Sequence, residues 1–241
     1  MAAGQGKRMK NPDRAKVMHT LAGIPLVEHV VRLARGMGAE RIIVIVGHQR
    51  AQVMEHLTAI DPSVEFAVQA EQLGTGHAVR MAEPLLADFE GDVVILSGDA
   101  PMTRRTTMQA ALEKHRNAHA TVTVLTALLP DPTGYGRVLR DDEGNILRIV
   151  EHKDASEKER AVREINSGIY VFRKDQLFRA LARVTNDNAQ GEYYLPDVFE
   201  IFQAEQRVMV PHAVEAFDEI RGVNTAEQLA ELEKIYHASQ T

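Results

Sequence analysis

Arg41-Ile42-Ile43-Val44-Ile45-Val46, Ala51-Gln52-Val53-Met54-Glu55-His56-Leu57-Thr58 and Val64-Glu65-Phe66-Ala67-Val68 read in turn as a strand, an amphipathic helix and a second strand. The outer runs are short and rich in β-branched side chains, which suit a pleated, buried surface. The alternation extends in both directions, with strands expected at 93–96 and 121–128 and helices at 26–35, 76–86 and 103–115. Strand and helix in alternation imply an α/β fold: a Rossmann-like mixed, mostly parallel sheet flanked by helices. Ligands of such sheets bind beyond the carboxyl ends of the strands. The unusual residues fall there, at 69–76 and at Gly98-Asp99.

The pattern changes from Tyr135. Val138-Leu139-Arg140-Asp141-Asp142-Glu143-Gly144-Asn145-Ile146-Leu147 reads as a hairpin turning on polar residues and glycine, followed by a charged helix near 155–163. These make a small inserted β-hairpin lobe. Beyond it come a strand at 165–172, a helix at 174–183, an irregular polar stretch at 185–191 and a helix at 195–206. Thr225 and Gln228, three apart, form a capping box for a last helix at 226–237.

A chain of 241 residues with 44% hydrophobic content buries a sizeable core. It has no cysteine, which rules out disulfides, thiolate metal ligands and a cysteine nucleophile, and fits a reducing cytoplasm. Its apolar runs are too short to span a bilayer, so no membrane association is expected. The net charge of −6 argues against a general nucleic-acid binder, which needs positive surface to displace counterions. Residues 1–50 nevertheless carry nine Lys or Arg against three acids. Lys7, Arg8, Lys10, Arg14 and Lys16 crowd one aperiodic segment, a basic entrance suited to a polyphosphate.

Several chemistries drop out. Gly4-Gln5-Gly6-Lys7-Arg8-Met9 lacks the third glycine of a dinucleotide fingerprint and the spacing of a Walker A loop. His115 and His119 are four apart, but Arg116 stands where a zinc peptidase carries Glu. There is no Gly-x-Ser-x-Gly elbow.

Four segments together resemble one family, the sugar-1-phosphate nucleotidyltransferases, and within it the uridyltransferase domain of bacterial N-acetylglucosamine-1-phosphate uridyltransferases. They are Ala2-Ala3-Gly4-Gln5-Gly6-Lys7-Arg8-Met9, Gln69-Ala70-Glu71-Gln72-Leu73-Gly74-Thr75-Gly76-His77-Ala78, Asp131-Pro132-Thr133-Gly134-Tyr135-Gly136-Arg137 and Asn188-Ala189-Gln190-Gly191-Glu192-Tyr193-Tyr194. Shorter matches at Gly98-Asp99, Glu151-His152-Lys153-Asp154, Asn166-Ser167-Gly168 and Gly222-Val223-Asn224 keep the same order. The resemblance implies a nucleotide-diphospho-sugar transferase fold over 1–241, with a nucleotide-binding part (1–128), a sugar-binding part (129–224) and a C-terminal helix (225–241).

It also implies the reaction: UTP and N-acetylglucosamine 1-phosphate give UDP-N-acetylglucosamine and pyrophosphate, assisted by Mg2+. The same chemistry on glucose 1-phosphate, or a catalytically silent nucleotide sensor, are the alternatives. Catalysis of such a transfer is mainly charge neutralisation and alignment. The phosphate monoester nucleophile, with a second pKa of about 6, is largely a dianion at neutral pH and needs no general base.

The resemblance assigns Arg8 and Lys16 to catalysis, and Ala3, Gly4, Gly6, Gln69, Gln72, Gly74, Thr75 and Asp99 to the nucleotide. Gly136, Glu151, Asn166, Tyr194 and Asn224 fall to the sugar, and Asp99 with Asn224 to the metal. Elementary chemistry fits these roles. Glycine lets backbone N–H groups approach phosphate, and the Gln69 amide matches a uracil edge. Asp99 and Asn224 offer the hard oxygens magnesium prefers. Structural readings stand beside them: Asp99 as a turn residue, Asn224 as a helix entry, Glu151 as solvated surface, Tyr193 and Tyr194 as core.

Three features depart from the family pattern. Lys7 stands where a small hydroxyl residue is usual, Ser97 replaces an aromatic, and Ala15-Lys16 replaces Pro-Lys with one extra residue after Met9. A buried strand normally precedes Ala-Ala-Gly, whereas Met1 stands directly before it here, so an in-frame apolar strand is expected upstream. No hexapeptide repeats follow the last helix, and no acetyltransferase half is expected.

Overall fold

The computed structural model describes residues 1–9, 11 and 13–238. Lys10 and the side chain of Lys7, both in the basic segment, lie outside the described residues, as does 239–241 of the C-terminal stretch. In chain order the elements begin with β1 (Thr20–Leu21), β2 (Ile24–Pro25), α1 (Leu26–Gly36), β3 (Ile43–Val46), α2 (Arg50–Ile60) and β4 (Glu65–Val68). Then come α3 (Thr75–Arg80), β5 (Asp92–Ile95), α4 (Arg105–Asn117), β6 (Val122–Leu128), β7 (Arg137–Arg140) and β8 (Ile146–Val150). The last are α5 (Glu157–Arg160), β9 (Glu164–Arg173), α6 (Lys174–Leu181), α7 (Val198–Ala204), β10 (Met209–Ala213) and α8 (Ala226–Ala238). They form two compact units: Met1–Gln72 with Leu96–Arg105 and Asp218–Thr241, and Leu73–Ile95 with Thr106–Phe217.

In the first unit β3 and β4 pair in parallel, Ile43 opposite Glu65 and Val46 opposite Val68. Val27 and Val31 of α1 and Val53 and Leu57 of α2, each pair one helical turn apart, pack with Val44 and Val46 in one buried cluster. Ala2 continues this layer: it bridges Val46 in parallel, and its N–H donates to Ile45 O at 2.8 Å. On its other side Gly98 N–H donates to Met1 O at 2.9 Å. Two residues thus pair where the resemblance places a buried strand. A Cβ on Gly98 would lie 2.6 Å from Met1 O, so only glycine permits this approach.

The second unit is built on β9. The sheet order is β10-β6-β9-β7-β8, with β5 also pairing β9. β9 runs antiparallel to β5, β6 and β7, while β10 and β6 are parallel. The sheet is mixed and flanked by helices as expected, but in this unit antiparallel pairings outnumber parallel ones. The cause is the β7–β8 hairpin, which reverses the chain once, so that β9, reached through α5, runs against β5, β6 and β7. The expected turn closes it: the Asp141 carboxylate accepts from the N–H groups of Glu143 and Asn145, and Gly144 takes φ +87°. Tyr170, Phe172, Phe199 and Phe202 fill the core, with ring centroids 5.4 to 6.5 Å apart.

Proline explains two shortened helices. The expected helix at 76–86 is α3 followed by a separate 3-10 turn, Glu83–Leu86, that carries Pro84. The helix expected from 195 opens as a 3-10 turn, Leu195–Asp197, around Pro196 before α7. In each case the ring removes a donor and biases its predecessor away from helix. The charged helix near 155–163 is only α5, capped reciprocally by Ser156 and Glu159. β10 escaped sequence reading because Met209-Val210-Pro211-His212-Ala213 has poor strand propensity. Pro211 is tolerated because β10 is an edge strand paired only with β6.

Candidate functional site

The glycine loop runs from the β3-paired Ala2 into the 3-10 turn Lys7–Met9, which leaves Arg8 exposed. Its two glycines serve different ends. Gly6 has φ +61°, and a Cβ there would lie 2.5 Å from Lys16 Cβ, so it must be glycine for the fold itself. Gly4 has nothing within 4 Å of the equivalent position and faces open space, as a ligand-facing residue requires. Ala3 is buried, and its carbonyl accepts from His48 N–H at 3.4 Å.

Lys16, packed beneath Gly6, begins a short 3-10 turn, Lys16–Met18. Rather than standing free beside the loop, its ammonium forms an ion pair with Asp99 Oδ2 and donates to Asn224 Oδ1 at 2.8 Å. The two expected metal ligands therefore converge on one cation, with Asp99 21% and Lys16 15% exposed at the side chain. Val223 N–H donates to Asp99 O at 2.9 Å, tying the two segments together. A Cβ on Gly222 would lie 3.3 Å from Asp99 Oδ1, so glycine there keeps the carboxylate's position open.

Asn224 is fixed by the cap of α8. Gln228 N–H donates to Thr225 Oγ1 at 3.2 Å, and the Gln228 side chain accepts from Asn224 N–H at 2.8 Å. The expected capping box forms with its return arm one residue earlier, on the candidate ligand. Among the described residues no three His, Asp or Glu side chains gather as a metal site. A two-ligand arrangement nevertheless fits magnesium, which takes one or two protein groups plus phosphate and water. The ammonium at these oxygens shows that they already hold positive charge.

Gln69 lies at the end of β4 and is 3% exposed, its backbone N–H donating to Val46 O at 2.8 Å. Gln72 joins Gln5 at 3.3 Å and donates to Gln69 O at 3.2 Å. Sequence reading missed Gly47, where a Cβ would lie 2.7 Å from Ala3 O and 2.9 Å from Gln72 Nε2. Its place directly after β3 was the available signal.

In the second unit Gly74 takes φ +110°, and its absent Cβ would meet Tyr193 O at 2.5 Å. Thr75 Oγ1 accepts from Leu195 N–H at 2.9 Å. A side chain at Gly74 would first meet the Tyr193 backbone.

Of the residues assigned to the sugar, Gly136 lies just before β7, Glu151 just after β8 and Asn166 on β9, whereas Tyr194 precedes the 3-10 turn Leu195–Asp197 and Asn224 lies in the first unit beside Lys16. Asn166 N–H donates to Gly136 O at 2.9 Å, and a Cβ on Gly136 would lie 3.3 Å from Glu151 Oε1. A bulge positions Asn166: register slips where Tyr170 opposes Val124 and Asn166 opposes Thr126, with Gly168 at φ +77°. The Asn166 amide donates to the Tyr170 hydroxyl at 2.7 Å. Burial, then the like charges of Asp154 and Glu192, push the Glu151 carboxyl up. Tyr194 is buried; its hydroxyl accepts from Gln190 at 2.6 Å and donates to Asp154 at 3.3 Å, and burial pushes it up to about 12. Asp154 also accepts from Ala189 N–H at 2.7 Å. Asp154 and Gln190 thus hold the 188–194 loop, roles no local pattern revealed.

Asp197, also missed, is pushed up to about 7 by burial and by the charges of Glu200, Glu151 and Asp154. A carboxyl raised on folding favours the folded state below the unfolded pKa of 3.8, and this advantage disappears as pH rises to about 7. Asp197→Asn should therefore unfold like the parent near pH 3.5 and be more stable at pH 8. The expected gain is about 1 kcal/mol, discounted for solvent screening at a partly exposed carboxyl. Urea titrations at both pH values measure it, and equal stability at pH 8 contradicts it.

The fold is that of sugar-nucleotide pyrophosphorylases. A UDP-glucose pyrophosphorylase complexed with UDP-glucose superposes with a TM-score of 0.77 at 16% identity, covering 99% of this chain and 97% of that one. A putative glucose-1-phosphate thymidylyltransferase from Bacillus anthracis gives 0.76 at 18% identity, covering 97% and 92%. The chain belongs to the nucleotidyl transferase family, whose model matches residues 1–218. Curated relatives include the bifunctional protein GlmU of Exiguobacterium sibiricum, 48% identical over 97% of this chain and 51% of the relative. That of Geobacillus thermodenitrificans is 48% identical over 98% and 50%. The chain spans about half the length of these relatives. No helix among the described residues is long and apolar enough to cross a membrane.

Proposed function

We propose that this chain is a uridyltransferase that joins UTP to N-acetylglucosamine 1-phosphate, releasing pyrophosphate. The observation that carries the reading is the meeting of Asp99 and Asn224 at one cation, next to a glycine loop with open space at Gly4. In this reading the loop Ala3–Gly6 receives the triphosphate on backbone N–H groups, with Arg8 and Lys16 adding charge. Gln69 reads the uracil edge and Gln72 belongs to the nucleotide site; Gly74 and Thr75 are assigned backbone contacts to a base. Gly136, Glu151 and Asn166 take the sugar hydroxyls and N-acetyl group, backed by Tyr194, Asp154 and Gln190.

Asp99 and Asn224 would hold Mg2+, which supplies Lewis-acid neutralisation of phosphate charge when bound. No residue need remove a proton, because the attacking phosphate is already ionised. The work of the chain is alignment and charge neutralisation. Within the single domain proposed from sequence, the parts 1–128, 129–224 and 225–241 carry the nucleotide, the sugar and the C-terminal helix.

The test is pyrophosphate release with UTP, Mg2+ and a panel of sugar 1-phosphates. N-acetylglucosamine 1-phosphate should give the highest kcat/KM, by about tenfold or more over glucose 1-phosphate, because an amide site lacking its partner is left unpaired. Equal turnover of the two would reject the N-acetyl assignment. UTP binding with no pyrophosphate release from any sugar would reject the enzymatic one.

A further inference from the structure

We infer that Lys16 is a built-in competitor of the divalent cation: without nucleotide its ammonium occupies the oxygens of Asp99 and Asn224, and the metal must displace it. This rests on the magnesium role proposed for that pair. Three observations carry it. The ammonium contacts both Asp99 Oδ2 and Asn224 Oδ1, the same two oxygens a hard cation would use. The backbones of Asn224 and Asp99 are anchored by Gln228 and Val223, so the segments that carry the pair are held by contacts that do not involve Lys16. The Lys16 stem is pinned at its Cβ beneath Gly6, while the three methylenes beyond it are flexible.

Two positive charges cannot share these oxygens without strong repulsion. Displacing the ammonium by a bare ion leaves it without its carboxylate, so metal alone binds weakly. A triphosphate on the glycine loop changes the balance. The pivot at Gly6 keeps a released ammonium beside that loop, where phosphate oxygens replace the carboxylate. Nucleotide and metal therefore enter together, and Lys16 moves from a seat-holding contact to a phosphate contact. Lys16 thereby sets the order of binding as well as contributing charge.

The test is binding of Mn2+ alone, followed by the loss of the free-ion EPR signal, in the full chain without nucleotide. Lys16→Met and Lys16→Gln should each bind Mn2+ about tenfold or more tightly than the parent, since a charge-assisted contact no longer opposes it. The double variant Lys16→Met with Asp99→Asn should lose the gain. Melting curves guard against misfolding: Lys16→Met should melt lower than the parent without metal and recover with Mn2+.

Binding by both lysine variants no tighter than the parent overturns the inference, and so does a gain that survives in the double variant. The proposed metal role fails by a separate sign: full pyrophosphate release by Asp99→Asn alone.

Discussion

Asp99→Ala is expected to lower pyrophosphate release by at least about 10³-fold, equivalent to about 4 kcal/mol of transition-state stabilisation. Asp99 supplies the carboxylate of the Lys16 and Asn224 cluster, and a neutral replacement would leave a metal with only the Asn224 amide oxygen of the proposed pair. The fold should persist, because the hydrogen bond that organises this segment, Val223 N–H to Asp99 O, is a backbone contact. Asn224→Ala should lose less, since it removes a neutral donor. Steady-state kinetics beside a circular-dichroism melt separate chemistry from folding. Undiminished turnover in a folded Asp99→Ala protein would remove Asp99 from the reaction.

Gly74→Ala should be the most damaging small substitution in the second unit. At φ +110° an alanine is strained whatever the space, and its methyl would meet Tyr193 O at 2.5 Å and Tyr193 N at 2.8 Å. Those atoms belong to a fixed pair of hydrogen bonds, Gly76 N–H to Tyr193 O at 2.7 Å and Tyr193 N–H to Leu73 O at 2.8 Å. Backbone strain and overpacking together cost about 3 kcal/mol. The urea midpoint should fall accordingly, and UTP affinity with it, because Gly74 and Thr75 are the residues proposed to meet the base. A parental midpoint would show that the loop relaxes freely.

The alternation of strands and helices was legible because each element reports on itself: Val27 and Val31, or Val53 and Leu57, announce a buried face through their spacing alone. Departures came where a local signal was ambiguous or absent. Pro84 and Pro196 shorten helices that apolar spacing extends. β10 has the composition of a loop and is a strand because β6 offers a free edge. The direction of β9 could not be read, since parallel and antiparallel strands share the same side-chain period.

In the candidate site the sequence located the right kinds of residues in the right loops, and spacing alone could not assign their duties. Gly4 and Gly6 look equivalent along the chain, yet one faces open space and the other is required by Lys16. Gln69 reads as a loop amide and is buried.

By itself, then, the sequence determined an α/β chain with a glycine-rich basic loop, hard-oxygen side chains after strands and a family resemblance along most of its length. Such properties follow from covalent geometry and short-range periodicity, which act between residues a few positions apart. The resemblance paired Asp99 with Asn224; only the tertiary structure decided that Lys16 joins them, its ammonium resting on the oxygens proposed for a metal. Packed faces and backbone hydrogen bonds bring such distant segments together. The contacts they create depend on the whole fold, so no local pattern encodes them.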